Sequence, residues 1–472
     1  MADAQHVKRI HLIGICGTAM ATLAALLKQR GHDVRGSDQN VYPPMSDFLA
    51  AEQIPAFSGY SAENLAPDID LVVVGNAISR GNPELEAVLE RRVRYCSLPE
   101  AIRDVFLWGA APVVLAGTHG KTTTTSLTGW LLTAGGLDPT VLVGGVALNF
   151  GAGGSSYRVG GGRHFVIEGD EYDSAFFDKT AKFLKYLPEV AVVSNVEFDH
   201  ADIYADLDAV RLAFRRLATL VPRNGLLLLG ADSPDALALQ RAAVSPVETF
   251  GVGEGATWRA VDVSHRDGLT HFEVHRDGRP FGRFASPLLG VHNVRNALAA
   301  VAVGARAGLT AAALADGLRA FKGIKRRLEI VGEQRGVTVL DDFAHHPTAV
   351  HETLLALKTG YPGRKVWAVF EPRSASSCRR VFQDDFARAF GAADEVVIAG
   401  VFRSSLPEEE RLSAGQLVSD LEHAGRRARH IPAVDDIVHA VAAEAGRGDL
   451  VVLMSNGGFG GIHQKLLQAL GA

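Results

Sequence analysis

The chain alternates between short apolar runs and longer amphipathic stretches, and this alternation predicts strands that are separated by helices. Near the start, the apolar runs are Val7 to Gly14, His32 to Asp38 and Asp70 to Gly75. The stretch from Ala19 to Gln29 lies between the first two runs and predicts a helix that ends at Gly31. A strand, a helix and a second strand in this order form a β-α-β unit, which builds a parallel sheet.

The middle of the chain continues this pattern and then changes it. Further strands are predicted at Val113 to Ala116, His164 to Glu168, Val190 to Asn195 and Gly225 to Leu229. From Trp258 to Pro287 the residues alternate around two Arg-Asp-Gly turns, which is typical of antiparallel hairpins. The glycine-rich interval from Gly144 to Gly162 predicts surface loops, and an alanine-rich helix is predicted from Gly290 to about Gly308.

The last part of the chain returns to alternating strands and helices. Its predicted strands are Thr338 to Asp341, Lys365 to Glu371, Glu395 to Ala399 and Asp449 to Met454. The basic stretch from Phe321 to Arg327 predicts the linker into this part. A chain of 472 residues is too long for one hydrophobic core, so about two to four domains of the α/β class are expected.

Composition and charge exclude several classes of protein. The apolar share of 47% and the charged share of 21% are ordinary for a globular chain. The net charge is −5 and no basic block stands out, so we expect no nucleic-acid partner. Three dispersed cysteines form neither a metal motif nor a disulfide framework and fit the cytoplasm. We expect no signal peptide, no membrane span and no membrane partner.

The stretch Gly117-Thr118-His119-Gly120-Lys121-Thr122-Thr123 follows an apolar run and precedes a helix-like segment, so it predicts a phosphate-binding loop. Lys121 would reach the β- and γ-phosphates of a nucleotide, and the hydroxyl of Thr122 would bind Mg²⁺. The spacing is shorter than in the common P-loop, because Leu115 stands where its first glycine would be. A plain strand-to-helix turn is the alternative, and the Gly-Lys-Thr sequence disfavours it.

Acid-rich loops follow two of the predicted strands, at Glu168 to Asp173 and at Glu197 to Asp202. Carboxylates at the carboxyl edge of a parallel sheet suit a Mg²⁺-nucleotide site, although such loops are also simply well solvated. The turn from Gly14 to Gly17, followed by Asp38 at the end of the next strand, is compatible with a nucleotide-like ligand or with ordinary Rossmann-like packing.

Three further stretches carry polar groups with two readings each. The amides of Asn293 and Asn296 lie at a helix start with His292 and could bind a base edge, but helix capping is the favoured alternative from these residues alone. The basic run that ends at Arg327 could supply an arginine for phosphoryl transfer or be a solvated charged segment. The loop from Asp341 to Pro347 follows a strand, as binding loops do.

Taken together, these stretches resemble the Mur ligases of bacterial peptidoglycan synthesis over essentially the whole chain. The short phosphate loop, Asn195 to His200, His292 to Asn296 and Asp341 to Pro347 match the family in the right order. The resemblance is closest to the branch that acts on UDP-N-acetylmuramate. Within it, four stretches resemble the members that add a recycled tripeptide: Gly75 to Pro83, Glu168 to Lys179, Phe370 to Ser374 and Met454 to His463. The segment from Phe177 to Leu187 is extra length relative to the alanine-adding members.

The resemblance implies an α/β fold of three domains. These are a Rossmann-like UDP-sugar domain at residues 1–109, a central P-loop ATPase domain with a small antiparallel sheet at 110–323, and a Rossmann-like ligase domain at 324–472. The implied cofactors are ATP and Mg²⁺. We expect a cytoplasmic monomer or weak homodimer.

The resemblance also assigns residues. ATP would be bound by Gly117, Thr118, His119, Gly120, Lys121, Thr122, Thr123, His292, Asn293, Asn296, Arg327 and Asp342. Mg²⁺ would be bound by Thr122, Glu168 and His200, and the UDP-sugar by Gly14, Gly17, Asp38 and Asn76. The implied catalytic residues are Lys121, His200, Arg327 and His345. Arg373 is our hypothesis for a tripeptide carboxylate, since guanidinium binds carboxylate bidentately; a bracing role is the alternative.

The implied function is an ATP-dependent amide ligase of the EC 6.3.2 type, which joins L-Ala-γ-D-Glu-meso-diaminopimelate to UDP-N-acetylmuramate in peptidoglycan recycling. The nearest alternative is the ligase that adds L-alanine to the same UDP-sugar in de novo synthesis. A P-loop regulator that only hydrolyses ATP, and a folate-type glutamate ligase, are alternatives that leave the N-terminal β-α-β unit unexplained.

Overall fold

The computed structural model describes residues 8–43, 45–402 and 406–471, so Val7, in the first predicted strand, lies outside the described residues. The chain divides into two compact units. The first unit is formed by Met1–Gly144, Ser155–Val196 and Val210–Thr249, and the second unit by Gly145–Gly154, Glu197–Ala209 and Phe250–Ala472. Each unit therefore contains segments that are distant in the sequence.

The first unit begins with a five-stranded parallel sheet. Its elements are β1 (Arg9–Ile13), α1 (Thr18–Gln29), β2 (Asp33–Asp38), α2 (Met45–Ala51), β3 (Ala56–Ser58), β4 (Leu71–Val74), α3 (Pro83–Glu90), β5 (Tyr95–Ser97) and α4 (Leu98–Ile102). The strand order is β3-β2-β1-β4-β5, so the carboxyl ends of β1, β2 and β4 are neighbours. Ligands of parallel α/β sheets bind at this edge.

A second group of elements, which lies mostly in the first unit, surrounds the apolar run at Val113. Its elements are β6 (Ala111–Ala116), α5 (Lys121–Ala134), β7 (Thr140–Ala147), β8 (Ser155–Arg158), β9 (His164–Gly169), β10 (Asp173–Ala175), β11 (Asp178–Ala181), β12 (Val190–Val193), α6 (Leu207–Leu220), β13 (Leu226–Gly230), α7 (Pro234–Ala238) and β14 (Val247–Gly251). The strands β13-β12-β6-β9-β7 are neighbours in that order and pair in parallel. Every residue of β6 is buried, as expected for a strand that is covered on both faces.

The second unit contains an antiparallel ladder and a sheet of six strands. Its elements are β15 (Trp258–Arg266), β16 (Leu269–Arg276), β17 (Arg279–Ser286), α8 (Val291–Arg306), α9 (Ala311–Arg319), β18 (Glu329–Gln334), β19 (Val337–Asp342), α10 (Pro347–Gly360), β20 (Val366–Phe370), α11 (Gln383–Ala389), β21 (Glu395–Ile398), α12 (Ala414–His423), β22 (Arg427–His430), α13 (Val434–Glu444), β23 (Leu450–Met454) and α14 (Ile462–Gly471).

The six-stranded sheet has the order β18-β19-β23-β20-β21-β22 and is parallel except at β18, which runs antiparallel to β19. Its faces carry separate hydrophobic cores. Phe370 packs with Phe386 and Phe390 on one face, and Trp367 packs in the cluster that contains Phe459 on the other. Because successive side chains of a strand point to opposite faces, one strand supplies both cores.

The predicted α/β class is confirmed, and so are the antiparallel hairpins between Trp258 and Pro287. The prediction of surface loops from Gly144 to Gly162 was wrong in part, because this interval contains the end of β7 and all of β8. β8 lacks an apolar pattern, and its Tyr157 instead donates a hydrogen bond to Glu52 at 3.1 Å. Within the described residues, each helix is too short or too polar to cross a membrane.

Candidate active site

The phosphate loop lies between β6 and α5, as the sequence predicts. Gly117 has a φ of +132° and Gly120 a φ of +84°, in the region that favours glycine. A Cβ at Gly117 would lie 3.1 Å from the backbone nitrogen of Asn195, so the loop passes close to the end of β12. Asn195 fixes the loop further: its carbonyl oxygen accepts the N–H of Thr118 at 3.1 Å, and its Oδ1 accepts the N–H of His119 at 2.8 Å.

Lys121 is the first residue of α5, and its ammonium group lies among oxygen atoms. It donates to the carbonyl oxygen of Gly117 at 2.8 Å and contacts both carboxylate oxygens of Glu171, at 2.8 and 3.0 Å. The side chains of Lys121 and Glu171 are 9% and 2% exposed, so water screens this pair little. Burial alone would lower the pKa of Lys121, but the nearby carboxylates, Glu171 first among them, raise it above its ordinary value.

Thr122 and Glu168 place a hydroxyl beside a carboxylate. The Oγ1 of Thr122 donates to Oε2 of Glu168 at 3.2 Å, and Oε1 of Glu168 accepts the N–H of Gly144 at 2.5 Å. A Cβ at Gly144 would lie 2.9 Å from Oε2 of Glu168, so the carboxylate rests directly against the backbone. Such hard oxygen donors are those that Mg²⁺ prefers, so this pair fits a divalent cation. Thr123 follows in the buried first turn of α5.

The carboxyl edge of the first sheet brings together Gly14, Gly17 and Asp38. Gly14 has a φ of +85°, and its N–H donates to the carbonyl oxygen of Ser37 at 2.8 Å. Oδ2 of Asp38 accepts the N–H of Cys16 at 2.9 Å, and Gly17 is the N-cap of α1. The end of β2 therefore holds the glycine turn in place.

Asn76 follows β4 at the same edge and connects it to the segment after β9. Its Nδ2 donates to Oδ1 of Asp173 in β10 at 3.3 Å. The hairpin of β10 and β11 also presents Phe177, whose ring centroid lies 5.1 Å from that of Tyr95 in β5. The extra segment predicted to begin at Phe177 therefore packs on the first sheet.

In the second unit, His200 and His345 lie near a shared carboxylate, Asp199. Oδ1 of Asp199 accepts the backbone N–H of His200 at 2.7 Å and the hydroxyl of Ser376 at 2.5 Å. Burial would raise the pKa of Asp199, but the neighbouring histidines, His200 before His345 and His346, hold it below its ordinary value. His345 is oriented by a contact of its Nδ1 with the carbonyl oxygen of Phe343 at 2.9 Å.

The start of α8 carries His292, Asn293 and Asn296. Nδ2 of Asn296 donates to Oδ1 of Asn293 at 3.0 Å, and Nδ2 of Asn293 donates to the carbonyl oxygen of Leu289 at 2.8 Å. The N-cap of α8 is Gly290, so neither asparagine caps this helix. His292 lies against the carboxylate of Glu352, with Nδ1 3.6 Å from Oε2.

A cavity of 530 Å³ within the second unit is bordered by Asn293 and Arg327. Its other walls come from the end of β15 and the β15–β16 turn, the segment before α8, the start of β18 and the end of α10, at His265, Arg266, Asp267, Gly268, Pro287, Leu288, Leu289, Leu328, Ile330, Gly360, Tyr361 and Pro362. The volume is within the usual range for small-molecule sites, about 300–1,000 Å³. Apolar walls beside the amide of Asn293 suit a flat heteroaromatic group, and His265, Arg266, Asp267 and Arg327 add polar groups.

The two arginines before Leu328 differ in their contacts. Arg326 has a φ of +61°, and its guanidinium donates to Asp341 at 3.2 Å and to the carbonyl oxygens of Ser455 and Gly457 at 2.7 Å each. Both guanidinium carbons lie near the ring centroid of Phe343, at 5.1 Å for Arg326 and 4.9 Å for Arg327, but only Arg327 borders the cavity. The structure therefore places the arginine that the sequence singles out, Arg327, at the cavity.

Asp342 is buried and is used within its own unit. Its Oδ2 accepts the N–H of Leu328 at 2.7 Å, and its Oδ1 accepts the N–H of Ala344 at 2.8 Å. Burial raises the pKa of Asp342, against the opposing effects of Arg327 and these hydrogen bonds. Asp342 therefore fixes the backbone just after Arg327 and in the loop that follows β19.

Arg373 lies on the loop after β20. Its guanidinium carbon is 3.8 Å from the ring centroid of Phe402, and its Nη1 lies 3.5 Å from Oε1 of Glu371. A Cβ at Gly457 would overlap with Nε of Arg373, so the guanidinium rests on a glycine backbone. This contact keeps Arg373 beside the loop from Ser455 to Gly461.

Two residues in these clusters received no role from the sequence. Glu171 lies in a quoted motif, but its partner Lys121 is 50 positions away. Asp199 follows a predicted strand, but Ser376, which binds it, is 177 positions away. An acidic residue just beyond an apolar run was the available signal in both cases, and it does not identify the partner.

Comparisons with known proteins cover nearly the whole chain. Three family descriptions match in order: Mur ligase family, catalytic domain at residues 9–106; Mur ligase middle domain at 115–304; and Mur ligase, glutamate ligase domain at 326–457. The Escherichia coli (strain K12) UDP-N-acetylmuramate–L-alanyl-γ-D-glutamyl-meso-2,6-diaminoheptandioate ligase is 42% identical over 463 residues, 98% of each chain.

Solved structures agree with this result. A murein peptide ligase from Psychrobacter arcticus 273-4 has a TM-score of 0.72 at 35% identity and covers 98% of this chain and 99% of its own. The UDP-N-acetylmuramate–alanine ligase from Thermotoga maritima has a TM-score of 0.79 at 25% identity, over 98% of both chains. The chain belongs to the Mur ligase family, whose members are ATP-dependent ligases.

Proposed function

We propose that this chain joins L-Ala-γ-D-Glu-meso-diaminopimelate to UDP-N-acetylmuramate at the expense of ATP, in the recycling of peptidoglycan. The observation that carries the proposal is the 42% identity, over 98% of the chain, to the Escherichia coli ligase of that name. The arrangement of Lys121, Thr122 and Glu168 after a buried strand supports the nucleotide-dependent step.

We propose that ATP is bound by its phosphates at Gly117 to Thr123 and by its adenine in the cavity beside Asn293. The α5 N-terminus and Lys121 favour phosphate, while Asn293 offers an amide at a mostly apolar cavity of 530 Å³. His292 and Asn296 support this adenine site from the start of α8. His292 lies against Glu352, and Asn296 donates a hydrogen bond to Asn293. Arg327 supplies positive charge near the γ-phosphoryl group during its transfer, and the carboxylate of Asp342 lies near Arg327.

We propose further that Mg²⁺ is held by Thr122, Glu168 and His200. Bound there, the ion would offset the negative charge that collects around the phosphates. The evidence within the first unit is the hydroxyl–carboxylate pair of Thr122 and Glu168. His200 is oriented by Asp199, and His345 lies near the same carboxylate.

The chemistry follows from the poor reactivity of a carboxylate. A carboxylate oxygen of UDP-N-acetylmuramate attacks the γ-phosphorus of ATP, the bond to the β–γ bridging oxygen breaks, and ADP leaves. The amine of the peptide then attacks the acyl carbon, phosphate leaves, and one proton is released. Lys121 and Arg327 reduce the repulsion between carboxylate and phosphate in the first step. Because water would destroy the acyl phosphate, the site has to exclude it.

We propose that Gly14, Gly17, Asp38 and Asn76 bind the UDP-sugar and that Arg373 binds a carboxylate of the peptide. The glycine turn and Asp38 lie at a sheet edge where such ligands bind. Arg373 combines an aromatic face with a weak, 3.5 Å carboxylate contact, so part of its charge remains for a ligand. Since the reaction consumes ATP, we propose a cytoplasmic location, as a monomer or weak homodimer.

The second candidate is the addition of L-alanine to UDP-N-acetylmuramate. It is favoured by the TM-score of 0.79 with the Thermotoga maritima ligase, although identity there is only 25%. The two candidates differ in the amine and share the ATP-dependent step.

The test is phosphate release from Mg²⁺-ATP with UDP-N-acetylmuramate and either L-alanine or the tripeptide. We expect release only with the tripeptide, together with a heavier UDP-sugar product in the mass spectrum. Release with free alanine would support the second candidate. Release with neither amine, or without the UDP-sugar, would contradict both.

A further inference from the structure

Glu171 is an acidic residue with no part in the proposed reaction, and it contacts the lysine that the phosphates need. Its two carboxylate oxygens lie 3.0 and 2.8 Å from Nζ of Lys121. The backbone oxygens of Gly117 and Thr118 lie 2.8 and 3.3 Å from the same nitrogen. A lysine ammonium has three N–H donors, and here four oxygen atoms already compete for them.

The pair is also protected from water. Lys121 and Glu171 are 9% and 2% exposed on their side chains, unlike the neighbouring pair of Lys182 and Asp170, at 14% and 24%. Buried charge-assisted hydrogen bonds are stronger than exposed ones, because neither solvent nor salt weakens them. A nucleotide phosphate that binds Lys121 therefore has to displace at least one of these four oxygen atoms.

Two of the four acceptor oxygens belong to the Glu171 carboxylate, which is an anion like phosphate, and the other two are neutral carbonyl oxygens. The carbonyl oxygens of Gly117 and Thr118 belong to the loop backbone, whereas Glu171 approaches through a side chain from the segment after β9. Two anions at one ammonium repel each other, so binding of phosphate and retention of the Glu171 contact oppose each other.

We infer that Glu171 is a positioning residue that competes with the β- and γ-phosphates of the nucleotide for Lys121. The inference rests on the proposed use of ATP and extends it to the control of nucleotide affinity. The contact holds the lysine in the loop, and each nucleotide that binds has to take the ammonium from the carboxylate. The apparent affinity for ATP is therefore lower than the loop alone would give.

The first test is nucleotide binding by the full-length Glu171→Gln variant, measured by calorimetry. The amide keeps the size of the side chain and removes its charge. We expect the dissociation constant of ATP and of ADP to fall about tenfold, as when a competing state is removed. The affinity for AMP, which lacks both competing phosphates, should stay unchanged.

The matched control is Asp170→Asn, which removes the same charge one residue away and leaves the Lys121–Glu171 contact in place. A second variant, Glu171→Asp, keeps the charge but shortens the side chain by one methylene. The inference expects tighter ATP binding in Glu171→Asp and little change in Asp170→Asn. Thermal unfolding of each variant checks that it is folded.

The outcomes separate the possibilities. Unchanged or weaker ATP binding in folded Glu171→Gln, with normal binding by the wild-type chain, would overturn the inference alone. Equal tightening in Asp170→Asn, or tightening for AMP as well, would also overturn it, because general charge or structure would then be the cause. Failure of the wild-type chain to bind ATP or ADP would instead contradict the proposed function.

Discussion

Lys121 and Arg326 are both cations beside carboxylates, but they differ in what holds them and in what they can bind. Lys121 donates to two backbone oxygens of its loop and pairs with Glu171, an anion in the position that a phosphate would need. Arg326 is held by Asp341 and by the carbonyl oxygens of two residues after β23. The first cation can exchange its anion for a ligand, whereas the second fixes the backbone and leaves its neighbour Arg327 at the cavity.

The largest effect expected from this comparison is at Lys121. Lys121→Ala should lower the rate of ligation by about 10³-fold or more, because the charge that meets the phosphates is lost. Thermal stability should fall as well, because Glu171 would be left as a buried carboxylate without its ammonium, so ligation is compared on folded protein. The matched control is Lys185→Ala, which removes a lysine paired with Asp178. Ligation by Lys121→Ala near the wild-type rate would exclude the proposed phosphate-binding role.

A substitution of Glu168 tests the proposed metal site beside the phosphate-binding loop. Glu168→Gln should reduce ligation on the order of 10²-fold and shift the Mg²⁺ titration to higher concentration, since a neutral amide is a poorer ligand. The control is Glu189→Gln, which directly precedes β12 and so lies at the opposite edge of the parallel sheet from Glu168. An unchanged Mg²⁺ titration would remove Glu168 from the metal site.

The two neighbouring arginines should separate activity from stability. Arg327→Ala should lower ligation by about 30- to 100-fold and reduce the melting temperature less than Arg326→Ala does. Arg326→Ala should lower the free energy of unfolding by about 2–4 kcal/mol, because two carbonyl oxygens and the buried carboxylate of Asp341 lose their guanidinium partner. Each variant is the control for the other. Equal loss of stability in both would contradict the distinction.

A substitution of Arg373 tests whether an arginine that stacks on Phe402 also binds a ligand. Arg373→Lys should raise the Michaelis constant for the tripeptide about tenfold, because lysine cannot bind a carboxylate bidentately, and leave that for ATP within about twofold. Steady-state kinetics with each substrate varied in turn provides the measurement. Parallel changes in both constants would favour a bracing role.

The smallest effect concerns Glu352, the partner of His292. Burial would raise the pKa of Glu352, but the nearby His292, and after it Arg295, lower it from an ordinary 4.5 to about 2. The folded carboxylate binds protons less readily than the unfolded one, so its stabilising effect is present above pH 4.5 and is lost as the pH falls toward 2.

Glu352→Gln should therefore cost about 1–3 kcal/mol of stability at pH 7 and progressively less below pH 4.5. Urea unfolding over this pH range measures the difference. Glu254→Gln, at a side chain that is 92% exposed, is the control and should show no such trend. A difference that stays constant with pH would mean that the charge of Glu352 does not stabilise the fold.

Local patterns were sufficient for the buried strands and for the phosphate loop, because an apolar run followed by glycines constrains the backbone directly. Edge strands were missed: β22 reads Arg-Ala-Arg-His, and only Ala428 of it is buried. A strand that is half in water needs no apolar repeat, so periodicity cannot reveal it.

The sequence names candidate residues for the sites but does not reveal their contacts. Lys121 and Arg327 were identified from motifs, but the exchangeable pair with Glu171 depends on how β9 lies beside β6. Likewise, nothing in the adjacent sequence distinguishes Arg326 from Arg327. The positive φ of Arg326 and the return of the chain at Ser455 decide which of them is held by the backbone.

The contact between Gly144 and Glu168 has a consequence for mutational tolerance. Any side chain at position 144 would meet a carboxylate oxygen at about 2.9 Å, so it would push aside the proposed metal ligand without altering a single reactive group. A saturation library of this gene should therefore show position 144 failing together with position 168. From such data alone, position 144 would look like a catalytic residue, although its requirement is only that no side chain is present.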